Sequence, residues 1–143
     1  MAERDLYYVA LKVFLEHDGN LFIFKDKYGD WDIPGGRIKT DEFSAPLEKV
    51  IERKMREELG SSVKCKLGNP IVLMRHERQE NGKNVRIFAV GYTATLTGGH
   101  IQLSEQHTDY EWVPIKSFEP EKYFTGGWLE GVKEYLAIKR GFQ

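Results

Sequence analysis

The chain has a single cysteine, Cys65. One thiol excludes an internal disulfide framework and a cysteine-built zinc site, and it fits a reducing compartment. No apolar run approaches the roughly 20 residues that a membrane helix needs, so no spanning segment is expected. Charge of one sign is also missing: 21 Lys and Arg stand against 22 Asp and Glu, for a formal net charge of -1. A face built to follow a phosphate backbone usually tilts that balance strongly basic, which disfavours general nucleic-acid binding. There is no internal repeat, low-complexity stretch or linker. The start, Met1-Ala2-Glu3-Arg4-Asp5, is charged and lacks the apolar core of a secretory signal. The expected setting is the cytoplasm.

What is present is ordinary globular material. The 143 residues suit one domain, 1–143, and 41% hydrophobic with 30% charged residues argues against disorder. Tyr7 to Glu16 and Leu21 to Phe24 read as strands joined by the Asp18-Gly19-Asn20 turn. Lys25 to Asp30 reads as loop, and Trp31-Asp32-Ile33 as a short extended piece ended by a Pro34-Gly35-Gly36 turn. A helix is expected from Ala45 to Leu59. Ser44 is its N-cap, Pro46 lies in the first turn, and Gly60 stops it. Further strands are expected at Val63–Leu67, Ile71–Arg78, Val85–Leu96 and Tyr110–Pro114, with an Asn81-Gly82 hairpin turn. A last helix covers about Gly127 to Lys139. The order predicts an α+β fold, a mixed β-sheet with helices packed on it.

The informative stretch is Trp31 to Val63. Pro34-Gly35-Gly36 lets backbone approach a ligand closely. Residues three and four apart share a helix face, so Lys54, Glu57 and Glu58 cluster, with Arg53 beside them. Glu57 and Glu58 could hold Mg²⁺, which commonly takes one or two carboxylates and fills its octahedron with phosphate oxygens and water. The competing reading is a solvated charged helix face. Two acids at a helix C-terminus are mildly unfavourable against the dipole, which calls for a reason such as a cation. The histidines, His17, His76, His100 and His107, show no metal-ligand spacing, and His107 reads as a loop residue. Trp112 reads as core.

This stretch resembles the signature of the Nudix hydrolase family. Gly36 matches its first glycine and Glu42 its first glutamate; Arg53, Met55, Glu57-Glu58 and Gly60 match its helical part. Trp31-Asp32-Ile33-Pro34-Gly35 resembles the approach to that motif, and Glu105 to Val113 its downstream loop and strand. Two departures stand out. Ten residues rather than seven separate Glu42 from Arg53, and Lys54 stands where the family has a metal-binding glutamate.

The resemblance implies an α/β/α sandwich and hydrolysis of a phosphoanhydride in a nucleoside diphosphate linked to another group. It implies Mg²⁺, with Mn²⁺ as an alternative, on Glu57, Glu58 and Gly36. Gly35, Gly36 and Lys54 would contact substrate. Arg53 would brace the loop by pairing with Glu42, or pair with Glu57 on its own helix. A downstream acid would act as base: Glu105 first, then Asp109 and Glu111. A homodimer follows by family analogy. The other reading, prompted by Lys54, is a catalytically weak nucleotide-binding module.

Overall fold

The computed structural model describes residues 1–141. Seven strands form one mixed sheet: β1 (Tyr8–His17), β2 (Asn20–Asp26), β3 (Trp31–Asp32), β4 (Gly35–Arg37), β5 (Lys64–Glu80), β6 (Lys83–Gly98) and β7 (His107–Pro114). Helices α1 (Leu47–Leu59) and α2 (Gly126–Lys139) cover it. The path runs β3-β2-β1-β6-β5, with β4 on β1 and β7 on β2. β1 and β6 are parallel, from Tyr8 beside Ile87 to Glu16 beside Thr95, and the other pairs are antiparallel.

Both faces of the central strands are buried, which explains the nearly unbroken apolar run of β1. Side chains alternate across the sheet. Ala10, Phe14 and Ile23 join Val132, Tyr135 and Leu136 of α2, whereas Leu11, Val13 and Leu15 join Val50, Ile51, Met55 and Leu59 of α1. Among the described residues no helix is long and apolar enough to cross a membrane.

Both expected hairpin turns form, with positive φ at Asp18-Gly19 and at Asn81-Gly82, as type I′ geometry requires. Four expectations need correction. The first helix begins at Leu47, with Pro46 and not Ser44 at its N-cap, and no side chain caps it. The residue before a proline is pushed out of the helical region, so Ala45 stays outside. The strands expected at 63–67 and 71–78 are one, β5, whose register shifts around Pro70 absorb Gly68-Asn69-Pro70 as irregularities. The strand expected from Tyr110 begins at His107. Finally, Gly35-Gly36 forms the start of β4 against β1. Gly35 has φ +127°, and a Cβ there would stand 2.1 Å from the Leu11 carbonyl oxygen, so only glycine fits.

Candidate active site

The last turn of α1 points an acid inward. Glu58 lies on the same side as Ile51, Met55 and Leu59, and it is 8% exposed. Its Oε1 accepts the Gly35 N–H at 2.8 Å, which ties the helix end to β4. Burial pushes its carboxyl up to about 7, against the pull of Lys12, the Gly35 N–H and Lys54.

Lys12 is the second buried charge, 4% exposed on β1. Its Nζ lies 3.1 Å from Asp32 Oδ1 and 3.2 Å from Oδ2, and 5.2 Å from the centre of the Trp128 ring. Buried charge has to be paired to persist, and Asp32 supplies the partner. Lys54 precedes Glu58 by four residues and lies across Gly36: a Cβ on Gly36 would stand 2.5 Å from Lys54 Cε. Its Nζ is 3.7 Å from Glu57 Oε2, a loose ion pair.

Arg53 takes both partners that the sequence offers. Nε and Nη2 donate to the two Glu42 oxygens at 2.7 and 3.0 Å, and Nη1 donates to Glu57 Oε1 at 2.9 Å. The guanidinium holds both carboxyls below their usual range. Glu42 Oε1 also accepts the Lys39 N–H at 2.9 Å, so the three-residue insertion sits in a loop still clamped to α1. Glu57 and Glu58 therefore face different partners, as expected for positions about 100° apart around a helix.

Lys12, Gly35, Gly36, Lys54 and Glu58 share the wall of one cavity of about 370 Å³. Asp32, Arg78 and Trp128 are common to it and to a neighbouring cleft of about 320 Å³ lined by Trp31, Tyr123 and His76. A larger groove of about 440 Å³ between β5 and α2 contains none of the motif residues, and its size does not make it the site.

Three side chains of this region were not legible as site residues. Lys12 and Asp32 lie within strand segments; the one signal in the sequence is a lone lysine inside Val9-Ala10-Leu11-Lys12-Val13-Phe14-Leu15. His107 is not a loop residue. Its ring stacks on Phe24 at 3.6 Å between centres, and Nε2 lies 3.9 Å from Glu58 Oε2. Burial lowers its proton affinity, and its Nδ1 is buried without a hydrogen-bond partner. Glu105 is exposed in the turn before β7 and does not line the cavity. Glu111 accepts the Tyr123 hydroxyl at 3.1 Å.

The donor set bears on metal binding. No group of three His, Cys, Asp or Glu among the described residues could hold a metal ion. Glu57 is engaged by Arg53 and Glu58 by Gly35. Among the described residues each keeps one oxygen without a hydrogen bond, with Lys54 3.7 Å from that of Glu57 and His107 3.9 Å from that of Glu58. This fits a cation that arrives with its own phosphate ligands, and it does not fit one caged by protein alone.

The model of the NUDIX domain matches residues 8–129. The chain belongs to the NUDIX family. A search of curated protein sequences gives no match. Among solved structures, a MutT NUDIX hydrolase from Burkholderia pseudomallei is 18% identical, with TM-score 0.66, over 91% of this chain and 98% of that one. An ADP-ribose pyrophosphatase from Streptococcus suis is 14% identical, with TM-score 0.67, over 94% and 93%. The E. coli ORF135 protein is 19% identical, with TM-score 0.67, over 94% and 92%. At these identities the likeness is one of fold, and it matches the mixed sheet with two packed helices. In this NUDIX domain Gly36, Lys54 and Glu58 line the cavity at the junction of β4 and α1, while Arg53 and Glu57 pair with each other and do not line it.

Proposed function

We propose that the protein hydrolyses a phosphoanhydride bond in a nucleoside diphosphate linked to another group, in the presence of Mg²⁺ or Mn²⁺. The observation that carries this reading is the junction of two cavities. One is lined by lysines, arginines and the Gly35-Gly36 backbone, and it suits a diphosphate. The other is lined by the rings of Trp31 and Tyr123, aromatic groups beside which a base can lie.

Glu57, Glu58 and the Gly36 carbonyl are the groups that would hold the cation beside the diphosphate. When bound, it supplies charge neutralisation and an acidified water. Arg53 acts through others: it fixes Glu57 on the helix and Glu42 in the loop, so α1 keeps its angle to β4. Lys54 contacts phosphate. Glu105 is the proposed acceptor of the attacking water's proton, from an exposed turn outside the cavity wall that precedes His107, whose ring stacks on Phe24. A cytoplasmic setting, a single domain over 1–143 and a homodimer belong to the same proposal.

The test is a phosphate-release screen over nucleoside triphosphates, nucleotide sugars, dinucleoside polyphosphates and phosphate monoesters, with and without Mg²⁺ or Mn²⁺. Products are expected from anhydrides alone, and only with the cation. No metal-dependent product across the panel would replace the hydrolase by a nucleotide-binding module.

A further inference from the structure

We infer that the cavity between β4 and α1 binds a diphosphate in the absence of any metal, through the ammonium groups of Lys54 and Lys12. The inference rests on the phosphoanhydride reading for its ligand class, and it adds how that ligand is held.

The charge in the cavity is of the wrong sign for a metal and the right sign for an anion. Five cations line it, Lys12, Arg37, Lys39, Lys54 and Arg78, against two acids, Asp32 and Glu58. Some of that charge is already engaged. Glu80 holds Arg37 and also meets Arg78 at 3.3 Å, and Asp32 holds Lys12.

Lys54 differs from these. Its one ionic neighbour, Glu57, is at 3.7 Å, beyond hydrogen-bond reach, so the ammonium's three N–H donors have no protein acceptor among the described residues. Gly36 gives its stem room to lie across β4. Lys12 contributes in another way. It is almost fully buried, so its charge is poorly screened by water, and an anion in the same cavity shares that ammonium with Asp32. Asp32 and the Trp128 face hold it in place. Glu58 lines the same cavity as both lysines.

A divalent cation arriving alone would meet these two ammonium groups. A diphosphate would find in them the positive charge that a metal ordinarily supplies. The lysine that replaces the family's acid thereby changes the order of events: the anion can bind first, and the cation is needed only for turnover.

The test is calorimetric titration of sodium pyrophosphate into the whole chain with EDTA present. The wild type is expected to bind, with affinity falling as salt is raised. Lys54→Gln should weaken binding about tenfold or more, the loss of one charge-assisted contact. Lys54→Glu should bind pyrophosphate only when Mg²⁺ is restored. Lys49→Gln, on the exposed side of α1, should bind like the wild type. Because Lys12→Met alone leaves Asp32 half-buried and unpaired, Lys12 is tested as the Lys12→Met, Asp32→Asn pair, with circular dichroism to establish folding. No binding in EDTA, or equal affinity for Lys54→Gln and wild type, overturns the inference. Hydrolysis with Mg²⁺ is measured separately. Turnover without metal-free binding sinks this inference alone, and metal-free binding without turnover across the nucleotide panel sinks the hydrolase reading alone.

Discussion

Replacing Glu58 by glutamine should make the metal-free protein more stable while it stops the reaction. The carboxyl of Glu58 rises from 4.5 to about 7 on folding, chiefly because it is buried. A raised value means that the folded chain keeps a proton which the unfolded chain releases. The stability contributed by this group is therefore complete below about pH 4.5 and is lost as pH rises through about 7. The glutamine keeps the oxygen that accepts the Gly35 N–H and never ionises. At about 1.4 kcal/mol per pH unit, the gap sets a ceiling of about 3 kcal/mol above neutrality. In a domain of this length 1 kcal/mol moves Tm by roughly 3–4 °C. The variant should thus melt at about the wild-type temperature near pH 4.5, and some 5–10 °C higher at pH 8. The assay is a series of thermal melts in EDTA from pH 4.5 to 8, beside a phosphate-release assay across a Mg²⁺ series. A difference in Tm that does not grow with pH would show that the Glu58 charge is no burden to the fold. Full turnover in the variant at low Mg²⁺ would sink its place in the site.

Other outcomes follow from the same geometry. Arg53→Met should lower Tm and turnover together by freeing Glu42 and Glu57, and Arg53→Lys should restore little, because an ammonium cannot make the paired bonds to Glu42; melts and rates on both variants check this. Gly127→Ala would set a Cβ 1.7 Å from the Arg75 carbonyl oxygen and should destabilise by about 2–3 kcal/mol or more, whereas Gly36→Ala meets only the flexible end of Lys54 and should leave Tm nearly unchanged while weakening pyrophosphate binding. Denaturant melts and calorimetry separate the two. His76 accepts the Gly127 N–H through Nδ1 at 3.2 Å, and burial lowers its proton affinity. Its contribution is present above about pH 6.5 and lost as pH falls toward its lowered value, so the drop in Tm between pH 7 and 5 should flatten in His76→Phe. Glu105→Gln should lower kcat with little change in KM or Tm; unchanged kcat would remove it as the base.

Much of the architecture was legible because it follows local rules. Both Asn/Asp-Gly hairpins, the Gly60 stop and the apolar stripe of α1 are set by neighbours within a few residues. The errors came where a distant partner overrode local chemistry. Gly68-Asn69-Pro70 would break an isolated strand, but pairing with β6 carries β5 through it. Gly35-Gly36 reads as a turn until β1 is there to pair with it. The site divides in the same way. Arg53, Lys54, Glu57 and Glu58 lie within six residues on one helix, so their grouping was visible. Lys12, Asp32 and His107 reach the cavity from other strands, and only the fold brings them there. Helical spacing alone could not tell that Glu58 points inward and Glu57 outward.

The parallel pairing of β1 with β6 has a consequence for how the molecule is made. It joins segments about 80 residues apart, and contacts of such long range are slow to form because the intervening chain must first be closed into a loop. Until β6 has left the ribosome, one edge of β1 has no strand beside it, and Trp128 is not yet there to cover Lys12. A nascent chain halted before residue 87 would display a sticky, unpaired strand on its β1–β2 hairpin. The cavity is therefore among the last parts of the protein to exist. Fragments ending short of β6 should bind holdase chaperones and bind no diphosphate.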